Sequence, residues 1–187
     1  MHKEILKGIP ENSPEESELK RKLRRIFVVT AAIFLIILFF VYLIPGYHIL
    51  SIIEGRLVST KLEGTTINLK DGTRVVFESG AYAALKEVYL KDLKNEFAAC
   101  LEGRKSGKDY IVTEISIPRT IEKGVFHVKA DLCGQDAIIA LHSHPYKSCI
   151  FSGQDIDYYK AFKSINPDGM IGLMCESDRF TFYSEGR

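Results

Sequence analysis

The sequence predicts an α+β domain built around a central sheet and preceded by one membrane-spanning helix. Three observations predict it. Ile26 to Ile44 is a run of 19 residues without a charge. Beyond it, strand-like runs are mixed with segments of helical periodicity instead of being segregated into blocks. Turn sequences, Asp71-Gly72 and Asn166-Pro167-Asp168-Gly169, punctuate both ends of that region.

At 187 residues the chain has room for one globular domain and an appendage. Apolar content of 46% and charged content of 26% are ordinary for a packed core, and a net charge of +1 gives no basis for a nucleic-acid partner. The near-neutral balance hides a local asymmetry. Residues 1–25 hold seven Lys/Arg against five Glu, and five of the basic residues fall in Lys20-Arg21-Lys22-Leu23-Arg24-Arg25. With Pro10, Pro14 and a cluster of glutamates, residues 1–19 read as a mobile tail, and 1–25 as a whole as a disordered, basic-ended cytoplasmic tail.

Residues 26–44 would span roughly 28 Å as a helix, close to the ~30 Å hydrocarbon core. A buried core helix is usually shorter or amphipathic. A signal peptide has a shorter apolar stretch followed by a small-residue cleavage site, and none follows here. The segment therefore reads as a retained anchor in membrane lipid. Five basic residues precede it, while the first ones after it are Arg56 and Lys61, so the positive-inside rule puts the N-terminus in the cytoplasm and the remainder outside. Tyr42 and Tyr47 suit the outer interface.

Residues 45–74 read as a linker plus an extra hairpin, Thr65–Lys70 and Thr73–Glu78 flanking Asp71-Gly72. Residues 75–187 are the main domain. Ala81 to Asn95 places Tyr82, Leu85, Tyr89 and Leu93 at helical spacing. Glu96 to Gly103 reads as a strand closed by glycine, and Tyr110 to Ile117 alternates as a half-buried strand. Ala137 to Leu141 is a short apolar strand, Asp155 to Ile165 a helix with Ile156, Tyr159 and Phe162 on one face. Met170–Cys175 and Phe180–Tyr183 are the last two strands. Of the four cysteines, Cys100 and Cys175 lie in apolar runs and are expected as buried free thiols; Cys133 and Cys149 complete an even count without any Cys-x-x-Cys pair.

The chemistry concentrates in LHSHPYKSCIFSGQD, residues 141–155. His142 and His144, two apart on an extended chain, face one side and can reach one ion. Asp155 supplies a carboxylate if the turn folds back. Two imidazoles and one carboxylate leave a fourth position open, the layout of a catalytic rather than a closed zinc site. Such a site needs a further carboxylate to take a proton from water. Singly, each residue has a plainer explanation: a strand-end histidine is usually structural, and Ser152 with Asp155 three later fits a helix cap. It is the combination that points to metal.

His142-Ser-His144-Pro145…Ser152-Gly-Gln-Asp155 resembles the JAMM motif of MPN-domain zinc metalloproteases in residue type and spacing. Glu96-Phe-Ala-Ala-Cys-Leu101-Glu-Gly103 is similar to the earlier Glu-x-x-x-x-Leu-x-Gly segment of that family. The resemblance covers about residues 75–187. It implies a mixed central sheet with flanking helices and one zinc ion held by His142, His144 and Asp155. It also implies Glu96 as the residue that holds and deprotonates water, and Ser152 as a hydrogen-bond donor to the oxyanion. Glu102 is a competing carboxylate, six residues on; His48 and His127 lack partner spacing and read as structural or exposed. Ubiquitin-cleaving members carry insertion segments that grip the substrate, and residues 156–187 leave no room for one of them.

These implications give a membrane-anchored zinc metalloprotease that hydrolyses an amide or isopeptide bond in a peptide or ubiquitin-like conjugate. A non-catalytic MPN-type scaffold and a zinc hydrolase of small amino-acid conjugates are the alternatives. Scaffolds of that type have usually lost ligands, whereas here the full set is present. One tension stands: ubiquitin-like conjugation needs ATP and is cytoplasmic, while the charged flanks place the domain outside.

Overall fold

The computed structural model describes residues 14–43, 49–78, 80–125 and 127–184. The chain divides into two compact units, Met1–Tyr47 and His48–Arg187. Tyr47, His48 and residues 1–13 of the expected tail lie outside the described residues.

The first unit is one helix, α1 (Pro14–Leu43). Its stretch Glu18–Tyr42 is long and apolar enough to cross a membrane, and none of its most apolar window is buried. The basic hexamer, expected in a mobile tail, lies inside the helix instead. Lys, Arg and Leu are all good helix formers, and Glu18 pairs with Arg21 one turn on at 3.3 Å, so nothing local stops the helix before the apolar run.

The second unit opens with α2 (Ile49–Val58), then β1 (Thr60–Lys61), β2 (Thr66–Asn68), β3 (Arg74–Phe77) and α3 (Ala81–Lys91). There follow β4 (Ala98–Ser106), β5 (Asp109–Ser116), β6 (Thr120–Lys123), β7 (Val128–Ala130) and β8 (Ala137–Ser143). A 3₁₀ turn (Pro145–Lys147), α4 (Gly153–Ile165), β9 (Met170–Glu176) and β10 (Arg179–Tyr183) complete the unit. Eight strands form one mixed sheet in the order β1-β10-β9-β8-β4-β5-β3-β2. The β8/β9 and β3/β5 pairs are parallel, the others antiparallel. β6 and β7 form a separate two-stranded ribbon.

Helices cover both faces, which is why the central strands β8 and β9 are apolar almost throughout instead of alternating. On one face Ala81 and Leu85 of α3 pack with Leu101, Val112, Ile139, Leu141, Met170 and Phe180. On the other, Tyr159 and Phe162 of α4 pack with Ala137, Ala140 and Ile171. Pleating sends Ala99 and Leu101 of β4 to the first face and Cys100 to the second.

Three expectations are corrected. The hairpin of β2 and β3 is no appendage: β3 pairs with β5, so the hairpin extends the main sheet, and the compact unit starts at His48 instead of residue 75. Part of the expected linker is the helix α2. Cys100 and Cys175 are not free thiols, since Cys100 bonds to Cys133 and Cys149 to Cys175, with no free cysteine left. Each sits in an apolar run because a disulfide is itself apolar, so composition could not separate the two states. The sequence also gave no warning of the β6–β7 ribbon.

Gly103 marks a bulge in β4, where the register with β5 shifts. Its φ is +156°, and a side-chain carbon there would stand 2.0 Å from the carbonyl oxygen of Ile111. Gly103→Ala should therefore destabilise the protein by about 2 kcal/mol or more, well above the usual cost of a surface substitution. Urea unfolding followed by circular dichroism would show the midpoint fall; an unchanged midpoint would mean the bulge is not needed.

Candidate metal centre

The β4–β8 pairing sets the site. Ala98 pairs with His142, and beyond the pair the two chains stay together. Ser143 N–H donates to Phe97 O at 2.9 Å, and Phe97 N–H donates to Ser143 Oγ at 3.1 Å. Ser143 is buried, so the residue between the two histidines acts as a clamp on the segment carrying Glu96. Glu96 itself precedes β4. Its N–H donates to Gly124 O at 3.0 Å, at the end of β6. Just upstream, Asp92 accepts from Lys94 and Asn95 N–H groups and from Lys123 Nζ at 2.8 Å. The Lys123 bond and then the Asn95 bond hold its carboxyl well below the usual carboxylate range.

His144 follows β8, and its N–H reaches Met174 O at 3.1 Å. The loop onward to α4 is pinned by the Cys149–Cys175 disulfide and by Thr181, whose Oγ1 donates to Cys149 O at 2.9 Å. Ser152 then caps α4 in a reciprocal capping box. Its Oγ accepts from Asp155 N–H at 3.3 Å, and its own N–H donates to Asp155 Oδ2 at 2.6 Å. The turn does fold back, as the ligand set requires.

Three ligand atoms converge. His142 Nε2 lies 3.1 Å from His144 Nε2 and 3.0 Å from Asp155 Oδ1, and His144 Nε2 lies 3.7 Å from Asp155 Oδ2. Tetrahedral ligands at ~2.0–2.1 Å from zinc stand roughly 3.3 Å apart, so these separations bracket what an ion requires. The donor set therefore fits a metal. Protonation fits as well. Burial lowers the His144 pKa to about 4, helped by the neighbouring His142, which leaves its imidazole neutral. Burial works to raise Asp155, but the hydrogen bond and charge of His142 and the Ser152 backbone bring it down to about 2, leaving it ionised. A neutral His144 imidazole and an ionised Asp155 carboxylate are states in which a cation is bound. The His144 ring is further held by the backbone of Ser148, an outer contact of the kind that orients metal-ligating histidines.

Glu96 stands at the edge of this triad, Oε1 3.7 Å from His144 Nε2, and only 5% of its surface is exposed. Burial pushes its pKa up to about 7. A carboxyl that exchanges a proton near neutrality is suited to general-base work. Glu102 takes no part, because its carboxylate accepts from Ser116 Oγ on the neighbouring strand. His127 is hydrogen-bonded to Glu122 at 3.1 Å and half-exposed. Beside His142 and Asp155 a cavity opens between α4 and β7, lined by Ala98, Val128, Ala130, Ala140, Tyr158 and Ile171.

Of the residues singled out in the sequence, His142, His144 and Asp155 come together, Glu96 lies at their edge and Ser152 caps α4, while Ser143, Gly124 and the ribbon were not singled out. The serine was in plain view between the histidines. Only the β4–β8 register reveals what its hydroxyl does.

No protein-family model and no curated protein matches the sequence. Among solved structures, the chain is similar to a JAB1/MPN domain protein from Archaeoglobus fulgidus at 21% identity, over 56% of this chain and 84% of that one, with a TM-score of 0.38. The functional reading accordingly rests on the site's own geometry.

Removing the Ser143 hydroxyl would leave the buried Phe97 N–H unpaired. Ser143→Ala should cost about 1–3 kcal/mol in chemical denaturation, and Ser143→Thr, which keeps the oxygen, should recover most of it. Equal stability of Ser143→Ala and wild type would show that the clamp is idle.

Proposed function

We propose that the chain is a membrane-anchored zinc hydrolase that cleaves an amide or isopeptide bond. The observation that carries this reading is the placement of a buried, protonatable Glu96 beside, not within, the His142–His144–Asp155 cluster. A closed structural site has no use for such a group.

Zinc held by these three residues would polarise the scissile carbonyl and bring the pKa of water down to ~7. Glu96 takes the proton from the attacking water and hands it to the departing amine nitrogen, so that the proton balance closes within the site. Ser152 is exposed at the mouth, accepts the Asp155 N–H and directs its hydroxyl to the Asp155 carboxylate. Rotated away from that carboxylate, the hydroxyl would donate to the oxygen that gains negative charge. The cavity next to His142, walled in part by Ala98, Val128, Ala130 and Ala140, receives the chain that flanks the cleaved bond, which suits a narrow peptide tail.

α1 serves as the anchor, with the domain on the outer side of the membrane. Two observations support that orientation: the basic residues before the span, and the two disulfides, which form and persist in oxidising compartments. An extracytoplasmic peptide or conjugate is then the substrate.

Two experiments test the reading. The full chain, purified without chelator, should hold about one zinc by elemental analysis, and His142→Ala or Asp155→Ala should lose most of it. Glu96→Gln should keep the zinc and lose ~10²–10⁴-fold in hydrolysis of glycine-ended peptide and isopeptide conjugates, the usual range for a general base. Glu102→Gln should stay near wild type. Absence of zinc from the wild-type chain would end the proposal, and full activity of Glu96→Gln would move the base elsewhere. For orientation, added protease should digest the domain on intact cells; digestion only after lysis would put it on the cytoplasmic side.

A further inference from the structure

We propose that α2 lies in the interfacial layer of the bilayer that α1 enters, with Ile53 and Leu57 turned toward the lipid. This inference rests on the reading of α1 as a span and on none of the hydrolytic chemistry.

One side of α2 is mounted on the domain. Gly55 is buried, and a side-chain carbon there would stand 2.9 Å from the Cys149 backbone nitrogen, so only glycine permits the helix to sit so close. Arg56 pairs with Glu176 at 3.7 Å, and Arg179 Nη1 donates to Ser59 Oγ at 3.0 Å just past the helix end. The other side faces out. Ile53 and Leu57 are 54% and 71% exposed. At ~100° per residue, Ile53 and Leu57 fall opposite Gly55, at the middle of the exposed arc, with Arg56 on one flank and Glu54 on the other. Ile53 and Leu57, one turn apart on that arc, form an adjacent aliphatic pair on a ten-residue helix, whereas Val58 falls toward the Gly55 side.

The chain itself says what covers it. Only residues 44–48 separate the end of α1 at Leu43 from the start of α2 at Ile49. Six peptide steps at ~3.5 Å reach roughly 20 Å at most. A helix tethered that closely to the exit of a span, apolar at its centre and charged at its flanks, meets the headgroup region, where such helices embed by ~5–10 Å. Arg56, largely exposed, sits where its guanidinium can reach lipid phosphates. Because Gly55 packs on Cys149, in the loop between His144 and Ser152, docking of α2 would hold that side of the metal centre about one helix diameter, ~10 Å, from the headgroups.

The chain contains no tryptophan, so a single one reports cleanly. Full-length Leu57→Trp and, as reference, Leu90→Trp, which is exposed on α3, would be reconstituted in phosphatidylcholine–phosphatidylglycerol vesicles. Emission of Leu57→Trp should be blue-shifted relative to Leu90→Trp. It should also fall by about half or more with lipids brominated high on the acyl chain, the depth at which interfacial helices sit, while Leu90→Trp is not quenched. Water-like, unquenched emission from Leu57→Trp in vesicle-bound protein would overturn the inference. So would a blue shift without quenching, which would mean that a second copy covers the face, or equal quenching at both positions. Failure of the chain to float with vesicles would remove the span reading and this inference together, leaving the zinc chemistry untouched.

Discussion

The register between β4 and β8 is the constraint on which the site depends. Strand side chains alternate, so a slip of one residue would send His142 to the other face and carry its partner segment away from His144. Apolar patterning alone guards that register poorly here, because β8 is buried on both faces and both of its faces are apolar. Ser143 supplies the discrimination instead. Its backbone and hydroxyl both engage Phe97, and a hydroxyl buried at any other register would lose its partner at a cost of about 1–3 kcal/mol.

The same segment holds an expensive group. Glu96 is nearly inaccessible, faces the cluster that contains Asp155, and has no cation of its own in hydrogen-bond reach among the described residues. Burial of this kind is tolerated only where surrounding structure fixes it, and the surroundings here are unusually tied down: Gly124 on its N–H, Phe97 on Ser143, Asp92 bracing the turn before it. The β6–β7 ribbon therefore has a structural task at the site. The Cys100–Cys133 disulfide secures the chain just after that ribbon to β4, and the Tyr158 hydroxyl of α4 accepts from Cys133 N–H at 3.4 Å. The wall of the cavity is stapled to the strand that follows Glu96.

Much of this was legible from sequence for a physical reason. The ligands are confined to 14 residues, His142 to Asp155, and local geometry (a strand period of two, then a helix cap) fixes most of their mutual placement. Glu96 was harder, since 46 residues separate it from His142, and only the resemblance of its segment selected it over Glu102. Chain length explains the choice afterwards: six residues at ~3.3 Å carry Glu102 roughly 20 Å along from Glu96, where it ends beside Ser116 on β5. What sequence could not reveal were pairings between distant pieces. Neither the joining of Cys100 to Cys133 nor that of β3 to β5 leaves a local trace, and α2 looked like linker because Gly55 lowers helix propensity where close packing requires it.

Asp155 ties metal binding to the start of α4. Its two oxygens have different duties: Oδ1 faces His142, while Oδ2 accepts the Ser152 N–H and completes the cap. The N-terminal end of a helix stabilises a negative charge, so the carboxylate is favoured there before any ion arrives. A cation drawn to Oδ1 leaves the cap intact, and the cap in turn keeps the carboxylate from swinging away from the imidazoles. Ser152 is fixed by the same pair of bonds, which sets its hydroxyl a constant distance along the helix axis from the ligand. The spacing Ser-x-x-Asp is thus the spacing of a capping box and of a metal site at once, and the plainer reading of those two residues and the chemical one describe a single arrangement.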